Sequence, residues 1–370
     1  MKVKNNKWMN WAVPLISIVL GFILGAVIML IFGYNPIDAY GAMFESAFMN
    51  PRNIGEIFVM AAPLIFTALG FSIANAAGCF NIGLSGQALC GWVASIYMAF
   101  SLPSTTPKPV MIATCVIAGA LAGAIVGLIP GVLRAYFGTS EVIVTIMMNY
   151  IVLFVSTYLV NDVMPTAWMS NKGVTMMIPE NAQLQTDFLS HISQYSRLNV
   201  GIFFAAIALI LTWFIMKKTT LGFEIRSVGL NPHASEYAGM NSKRILMFAM
   251  TLSGALAGIG GMIYGLGTFG NFFVQTSSLN IGFDGMAVSL LGNGTPLGIL
   301  LSALLFSVLK FGGQGMPLYT NVPTELVDIV IASIIFFIGI SYLIRFVLDK
   351  MAHRKMQKAV QSESQEGGEL

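Results

Sequence analysis

The sequence predicts an all-α, polytopic transmembrane helix bundle. Of its 370 residues, 56% are hydrophobic and only 9% are charged, whereas soluble domains carry about 25% charged residues. The mean hydropathy is +0.78. The apolar residues form runs of about 20, long enough to cross a bilayer as a helix, and they lack the alternation of β-barrel strands. A fully solvated surface cannot be built from this composition, so we expect an integral membrane protein.

About ten apolar segments follow one another along the chain. They run over 11–33, 57–75, 82–101, 109–130, 139–160, 199–216, 245–266, 280–292, 295–312 and 324–347. The eighth is too short to span alone at about 1.5 Å per residue, so we expect a tilted or broken half-helix there. We count it as a crossing, because an even number of crossings places both basic termini on one side.

Basic residues predict the orientation. Most of the 19 Lys and Arg residues lie at the two ends of the chain and in the loop 217–244, and basic loops stay in the cytoplasm. Both termini and this loop are therefore predicted to be cytoplasmic, and the loop 161–198 to lie outside. The resulting organisation is a basic tail (1–10), a transmembrane domain (11–349) and a polar tail (350–370).

Some glycines recur every four residues, as Gly119, Gly123 and Gly127 do, and as Gly254 and Gly258 do. In lipid, small residues at this spacing let helices approach closely. The pattern indicates either packing within the bundle or a sliding or dimer interface. A further G-x-G-x-x-G match at 265–270 follows an apolar span and no strand, so it does not predict nucleotide binding.

The polar stretch 226–244 carries the signals of a short helix. Asn231 suits an N-cap, Pro232 the first helical position and Gly239 the stop, which predicts a helix over 232–238. One face carries Leu230, Ala234, Tyr237 and Ala238. Since a helix of about two turns is unstable alone, this face needs a support. The helix is either a lever that docks on a partner or a capped surface turn packed on its own bundle.

Three stretches resemble a known family. "GFEIRSVGLNPHASEYAGMNSKRILMFAMTLSGALAGIGG" (222–261) is similar to the cytoplasmic loop and next span of ATP-binding cassette (ABC) importer permeases, in the subgroup with ribose, branched-chain amino-acid and nucleoside systems. The family pattern falls on the following positions: Arg226, Gly229, Asn231, Ala234, Ala238 and Gly239.

The second stretch, "NAAGCFNIGLSGQALCGWVAS" (75–95), resembles the N-I-G-x-x-G-Q segment of the nucleoside branch. Ser85 stands there where many relatives carry Glu. A third, 282–313, is similar to the terminal hairpin of the family. The resemblance covers about residues 55–345.

The resemblance implies a larger machine in the cell membrane. Two permease subunits, identical or related, form the pathway, two cytoplasmic ATPases bind at helix 232–238, and an extracellular binding protein delivers the solute. The chain has no G-x-x-x-x-G-K-[ST] loop, so ATP belongs to a partner and we expect no cofactor, no metal and no enzymatic activity. Nothing predicts a nucleic-acid partner.

Polar groups inside a membrane are costly and therefore mark candidate pathway residues. The candidates are Asn75, Asn81, Ser85, Gln87, Asn149 and Asp284, with Glu141 at the start of the fifth segment. Phe71, Phe80 and Trp92 are candidates to stack on a flat base. Each has a structural alternative: an interhelical hydrogen bond, a carboxylate at a helix N-terminus, or packing. The lack of a buried basic cluster favours a neutral solute over a nucleotide.

The predicted function is a nucleoside permease of an ABC importer. A permease for a pentose, another sugar or a vitamin is the first alternative, and a secondary transporter driven by an ion gradient is the second. A membrane enzyme is disfavoured, because His191, His233 and His353 lie in separate loops and the tail without a catalytic partner.

Overall fold

The computed structural model describes residues 9–323 and 325–340. The predicted tail 350–370, most of the tail 1–10 and the end of the last apolar segment lie outside the described residues. The described helices are α1 (Met9–Ile31), α2 (Pro36–Phe48), α3 (Pro51–Ala76), α4 (Leu84–Ser101), α5 (Lys108–Phe137), α6 (Glu141–Tyr158), α7 (Asp187–Ile192), α8 (Gly201–Lys218), α9 (Thr220–Leu230), α10 (Pro232–Tyr237), α11 (Ser242–Met262), α12 (Asn280–Leu291), α13 (Pro296–Tyr319) and α14 (Glu325–Gly339).

Short irregular elements complete the described fold. π-helical turns continue α6 over Leu159–Val163 and α11 over Ile263–Phe269. The loop after α6 carries a small antiparallel pair, β1 (Met169–Asn171) and β2 (Val174–Thr175). The polytopic helical prediction is confirmed, and the chain is a multi-pass membrane protein.

Each of the ten predicted segments contains a helix: α1, α3, α4, α5, α6, α8, α11, α12, α13 and α14. Within the described residues, 7 helices are long and apolar enough to cross a membrane. The sequence reading missed α2, whose 13 residues include Asp38 and Glu45. It also missed α9, which occupies the first half of the predicted loop 217–244. The number of crossings and the side of each terminus stay predictions.

The eighth segment is a half-helix, as expected. α12 has 12 residues, and the preceding residues 271–279 form no helix. Thr67, well inside α3, donates its hydroxyl hydrogen to the Ile281 carbonyl at 3.1 Å. The first turn of α12 therefore begins against the middle of α3 rather than at its end.

The described residues form two compact units. In the smaller one, α1 pairs with α14, and Ser17 donates to the Phe337 carbonyl at 3.3 Å. The larger one runs from Tyr40 to Thr320. Its central helix is α11, which packs on α3, α4 and α5.

The spaced glycines join α5 to α11. A Cβ on Gly254 would meet the carbonyl oxygen of Gly123, and one on Gly258 would meet that of Gly119. Only glycine lets the two backbones come this close. The interpretation as packing within the bundle is confirmed, and these glycines are not free to form a dimer interface.

Candidate functional site

α10 has the ends that its sequence predicts. The Asn231 side chain accepts a hydrogen bond from the Ala234 N–H at 3.0 Å, and Pro232 occupies the first turn. Gly239 follows with φ +84°, a left-handed conformation that favours glycine. The helix ends at Tyr237, one residue before the predicted end.

The predicted apolar face of α10 points away from the chain. Tyr237 is 96% exposed and Leu230 is 88% exposed, and Ala234 and Ala238 are exposed as well. The residue that faces inward is instead Ser235, which is 4% exposed. The alternative in which this face packs on the chain's own bundle is therefore wrong for the described residues.

α10 is nevertheless held in place. Ser242, at the start of α11, donates its hydroxyl hydrogen to the Pro232 carbonyl at 2.9 Å. On the other side α10 continues from α9, whose Ile225 and Val228 are fully buried in an apolar cluster with Ile73 of α3. Burial of two such side chains contributes roughly 3 kcal/mol or more, so α9 anchors α10 to the bundle.

Gly229 of α9 lies directly against the turn after α3. A Cβ on Gly229 would meet the carbonyl oxygen of Ala76, and Gly78, at φ +80°, faces Gly229 from that turn. The backbone of α9 therefore lies directly on the backbone at the end of α3 and of the turn 77–83, with no side chain of either glycine between them.

The turn 77–83 leads into a buried hydrogen-bonded corner. Asn81 donates to Gln87 at 3.0 Å and to the Ser253 hydroxyl of α11 at 2.8 Å, and it accepts from the Gly83 N–H at 2.9 Å. Asn81 and Gln87 are 0% and 1% exposed. The N-I-G-x-x-G-Q segment therefore joins the turn to α4 and α11.

Asn149 of α6 completes this corner. Its side-chain oxygen accepts from the Gly86 N–H at 2.8 Å and its amide donates to the Ile82 carbonyl at 3.0 Å. It satisfies two backbone groups that the start of α4 would otherwise leave unpaired in the bundle. Asn81 and Asn149 thus bond to other helices, as their structural alternative requires, and Gln87 bonds to Asn81. The pathway role of all three stays a prediction.

Ser85 differs from its neighbours in this corner. Its side chain is buried, and among the described residues its hydroxyl oxygen is one of three buried side-chain atoms without a hydrogen-bond partner. Gly282, in the first turn of α12, packs directly on it, since a Cβ at Gly282 would collide with the Ser85 hydroxyl. The half-helix α12 therefore covers a polar group that has no partner.

The remaining pathway candidates lie elsewhere. Asn75 is exposed and lines a cavity at the end of α3, together with Arg226 of α9. Asp284 of α12 forms an ion pair with Lys310 of α13. The six predicted residues therefore do not form one site: four share the corner, and two are separate from it.

Lys310 was missed in the sequence reading, although its signal was present: it is a lone lysine within the apolar segment 295–312. Its side chain is 23% exposed and that of Asp284 is 11% exposed. Charges inside a bundle are costly unless paired. The pair fixes the half-helix α12 to α13.

Two further ion pairs lie at the helix ends. Glu56 of α3 binds the Arg197 guanidinium at 2.8 Å and 3.0 Å and accepts from its backbone N–H at 2.8 Å. The sequence reading did not identify this pair. Glu141 begins α6, as predicted, and lies 3.4 Å from Arg134.

The aromatic candidates pack rather than line an open space. Trp92 is fully buried, stacks at 5.4 Å on Phe269 and donates to the Asn271 carbonyl at 3.1 Å. Phe71 is buried and meets Phe80 edge-on at 5.0 Å. Of the three, only Phe80 is exposed, at 39%.

Comparisons with known proteins agree with this architecture. The family model described as "Branched-chain amino acid transport system / permease component" matches residues 53–339. The nucleoside ABC transporter permease protein NupB of Lactococcus lactis is 49% identical over 98% of this chain and 99% of its own. No solved structure matched the chain.

Two other relatives differ in the solute that their names give. The guanosine ABC transporter permease protein NupP of Bacillus subtilis is 43% identical over 92% of this chain and 96% of its own. The glucose ABC transporter permease protein TsgB13 of Haloferax volcanii is 30% identical over 90% and 87%. The chain described here belongs to this family of transport-system permease components.

Proposed function

We propose that the chain is the membrane-spanning permease subunit of an ATP-driven importer that moves nucleosides into the cell. The observation that carries the proposal is α10, a capped helix whose apolar face is exposed and has no partner among the described residues. Through α9 it contacts the turn that leads into the buried corner. The two relatives with the higher identities described above carry nucleoside and guanosine in their names, which supports the solute class.

In the proposed mechanism, cytoplasmic ATPase subunits bind the exposed face of α10. Closure of the ATPases on ATP moves α10, and α9 passes the movement to the turn 77–83 and the corner around Asn81. A second permease subunit completes the pathway, and an extracellular binding protein releases the solute into it. Coupling requires that nucleotide and solute each favour one of two bundle states.

The solute is tested by uptake in cells that lack this chain and carry it on a plasmid. We expect labelled uridine or guanosine to be taken up, and unlabelled nucleosides to compete better than free bases, ribose or glucose. Competition by glucose or ribose alone would favour the sugar alternative, for which TsgB13 is the relevant relative. Uptake that continues after loss of the ATPase would favour an ion-driven transporter.

The coupling role is tested at Ala234 within α10 and at Gly239 just after it. Gly239→Pro cannot adopt φ +84°, so we expect uptake to fall to background, and Ala234→Arg should do the same by obstructing the docked face. Membrane levels should stay normal, because both positions are exposed. Gly239→Asn is the matched control, since Asn tolerates this conformation. Wild-type uptake in both Gly239→Pro and Ala234→Arg would contradict the proposal.

The side of the membrane is tested by thiol labelling in a Cys90→Ser background. We expect Tyr237→Cys to react with a charged maleimide only from the cytoplasmic side, and Lys172→Cys, in the loop 161–198, only from outside. Native Cys79 should not be labelled at pH 8, because burial raises the pKa of its thiol to about 12. The thiolate that reacts with maleimide is then rare. Labelling of Tyr237→Cys in intact cells would place α10 outside and refute the mechanism.

A further inference from the structure

A cavity of about 490 Å³ opens where α3 and α8 end, beside α9 and the start of α13. Its lining includes Lys217 at the end of α8 and Arg226 on α9, and both side chains belong to exposed residues. None of its lining residues is a carboxylate. An anion would therefore meet two cations and no like charge.

The helix geometry adds to this positive field. α13 begins at Pro296, which also lines the cavity. A helix of 24 residues carries partial positive charge at its N-terminus. Lys218 adds a third cation nearby, since its ammonium lies 5.9 Å from the ring centroid of Trp213, another lining residue.

The cavity lies at the ends of long apolar helices, which is where a membrane surface is expected. It is bordered by the ends of three helices that are long and apolar enough to span: α3, α8 and α13. Trp213 is 42% exposed beside the cavity, and indole rings favour the membrane interface. Ile210, which is 66% exposed, lies three residues before Trp213 on the same face of α8 and extends the apolar surface beside the cavity.

We propose that this cavity binds the phosphate of an anionic phospholipid, with the acyl chains along α8. The observations favour a lipid over a free phosphate ion, because the exposed apolar side chains Trp213 and Ile210 lie beside the basic lining of the cavity. Arg226 supplies a planar fork for two phosphate oxygens and Lys217 a point charge. Basic pockets between helices at the cytoplasmic surface are suited to anionic head groups. The proposal is independent of the transported solute.

The test is lipid binding to the purified full-length protein, measured by native mass spectrometry and by thermal unfolding. We expect phosphatidylglycerol to bind and to raise the unfolding temperature, and phosphatidylcholine to do neither. Removing both charges, in Lys217→Gln with Arg226→Gln, should weaken phosphatidylglycerol binding about 30-fold. The matched control is Lys243→Gln with Arg244→Gln, which removes the same charges outside the cavity lining and should bind normally.

Two results would overturn the proposal. Equal phosphatidylglycerol binding by wild type and by the Lys217/Arg226 variant would show that the cavity does not hold the head group. Displacement of the lipid by millimolar inorganic phosphate, with the same stabilisation, would identify a free anion rather than a lipid as the ligand. A separate unfolding scan without lipid checks that the variant is folded, so that lost binding is not lost structure.

Discussion

Replacing Gly258 with leucine is expected to prevent the larger unit from folding. Gly258 lies where α4, α5 and α11 meet: a Cβ on it would meet the carbonyl oxygen of Gly119, and a Cβ on Gly91 would meet the carbonyl oxygen of Gly258. A side chain there must push backbone apart, which costs more than about 3 kcal/mol in a packed interior. The measurement is the amount of monodisperse protein extracted from membranes, with a thermal scan of whatever is recovered.

Gly41→Leu is the matched control for this prediction. Gly41 is also helical, within α2, but a Cβ on it would meet nothing within 4 Å. Leucine favours helices over glycine by about 1 kcal/mol, so we expect normal yield and unchanged unfolding. Recovery of Gly258→Leu at the level of Gly41→Leu would show that the α5–α11 contact is looser than described.

Breaking the ion pair of α12 with α13 is expected to have the second large effect. Asp284→Ala removes the carboxylate that pairs with the Lys310 ammonium inside the bundle, and Lys310→Met removes the cation that pairs with Asp284. Removing one partner of a buried pair costs about 3 kcal/mol or more. We therefore expect each single variant to unfold at a clearly lower temperature in detergent and to lose uptake.

The double variant, Asp284→Leu with Lys310→Met, separates charge pairing from transport. Apolar side chains of similar size often replace an ion pair without loss of stability, so its unfolding temperature should return towards that of the wild type. If uptake returns as well, the pair is structural; if the protein is stable but inactive, the charges act in the pathway. Single variants as stable as the wild type would contradict the ion pair itself.

Several elements were predictable from residues close to one another in the sequence. Asn231, Pro232 and Gly239 specify α10 because caps act within a few residues. The four-residue spacing of glycines predicted close helix packing, but not that the glycine faces of α5 and α11 meet each other. The short length of segment 280–292 indicated a tilted or broken half-helix, and α12 has 12 residues. In contrast, α2 escaped detection because its two acidic residues interrupt the hydrophobic run.

The roles and partners of the polar candidates could not be predicted from the sequence. Polarity within an apolar run marked Asn81, Gln87 and Asn149, but the same residue type serves equally for a solute contact or an interhelical bond. Only the fold shows that Asn81 bonds to Ser253, 172 residues away, and that Asn149 bonds to the backbone of Gly86. Trp92 is a candidate to stack on a nucleobase by residue type, but the fold buries its side chain.

The sequence by itself determined the membrane class, the long apolar helices and the cap-defined α10, because hydrophobic length and capping are properties of neighbouring residues. The tertiary structure alone decided which polar groups are paired: Lys310 with Asp284, Arg197 with Glu56, and Ser85 with none among the described residues. It also decided that the apolar face of α10 stays exposed. The physical reason is that buried charges and amides must find partners, and those partners come from helices distant in sequence.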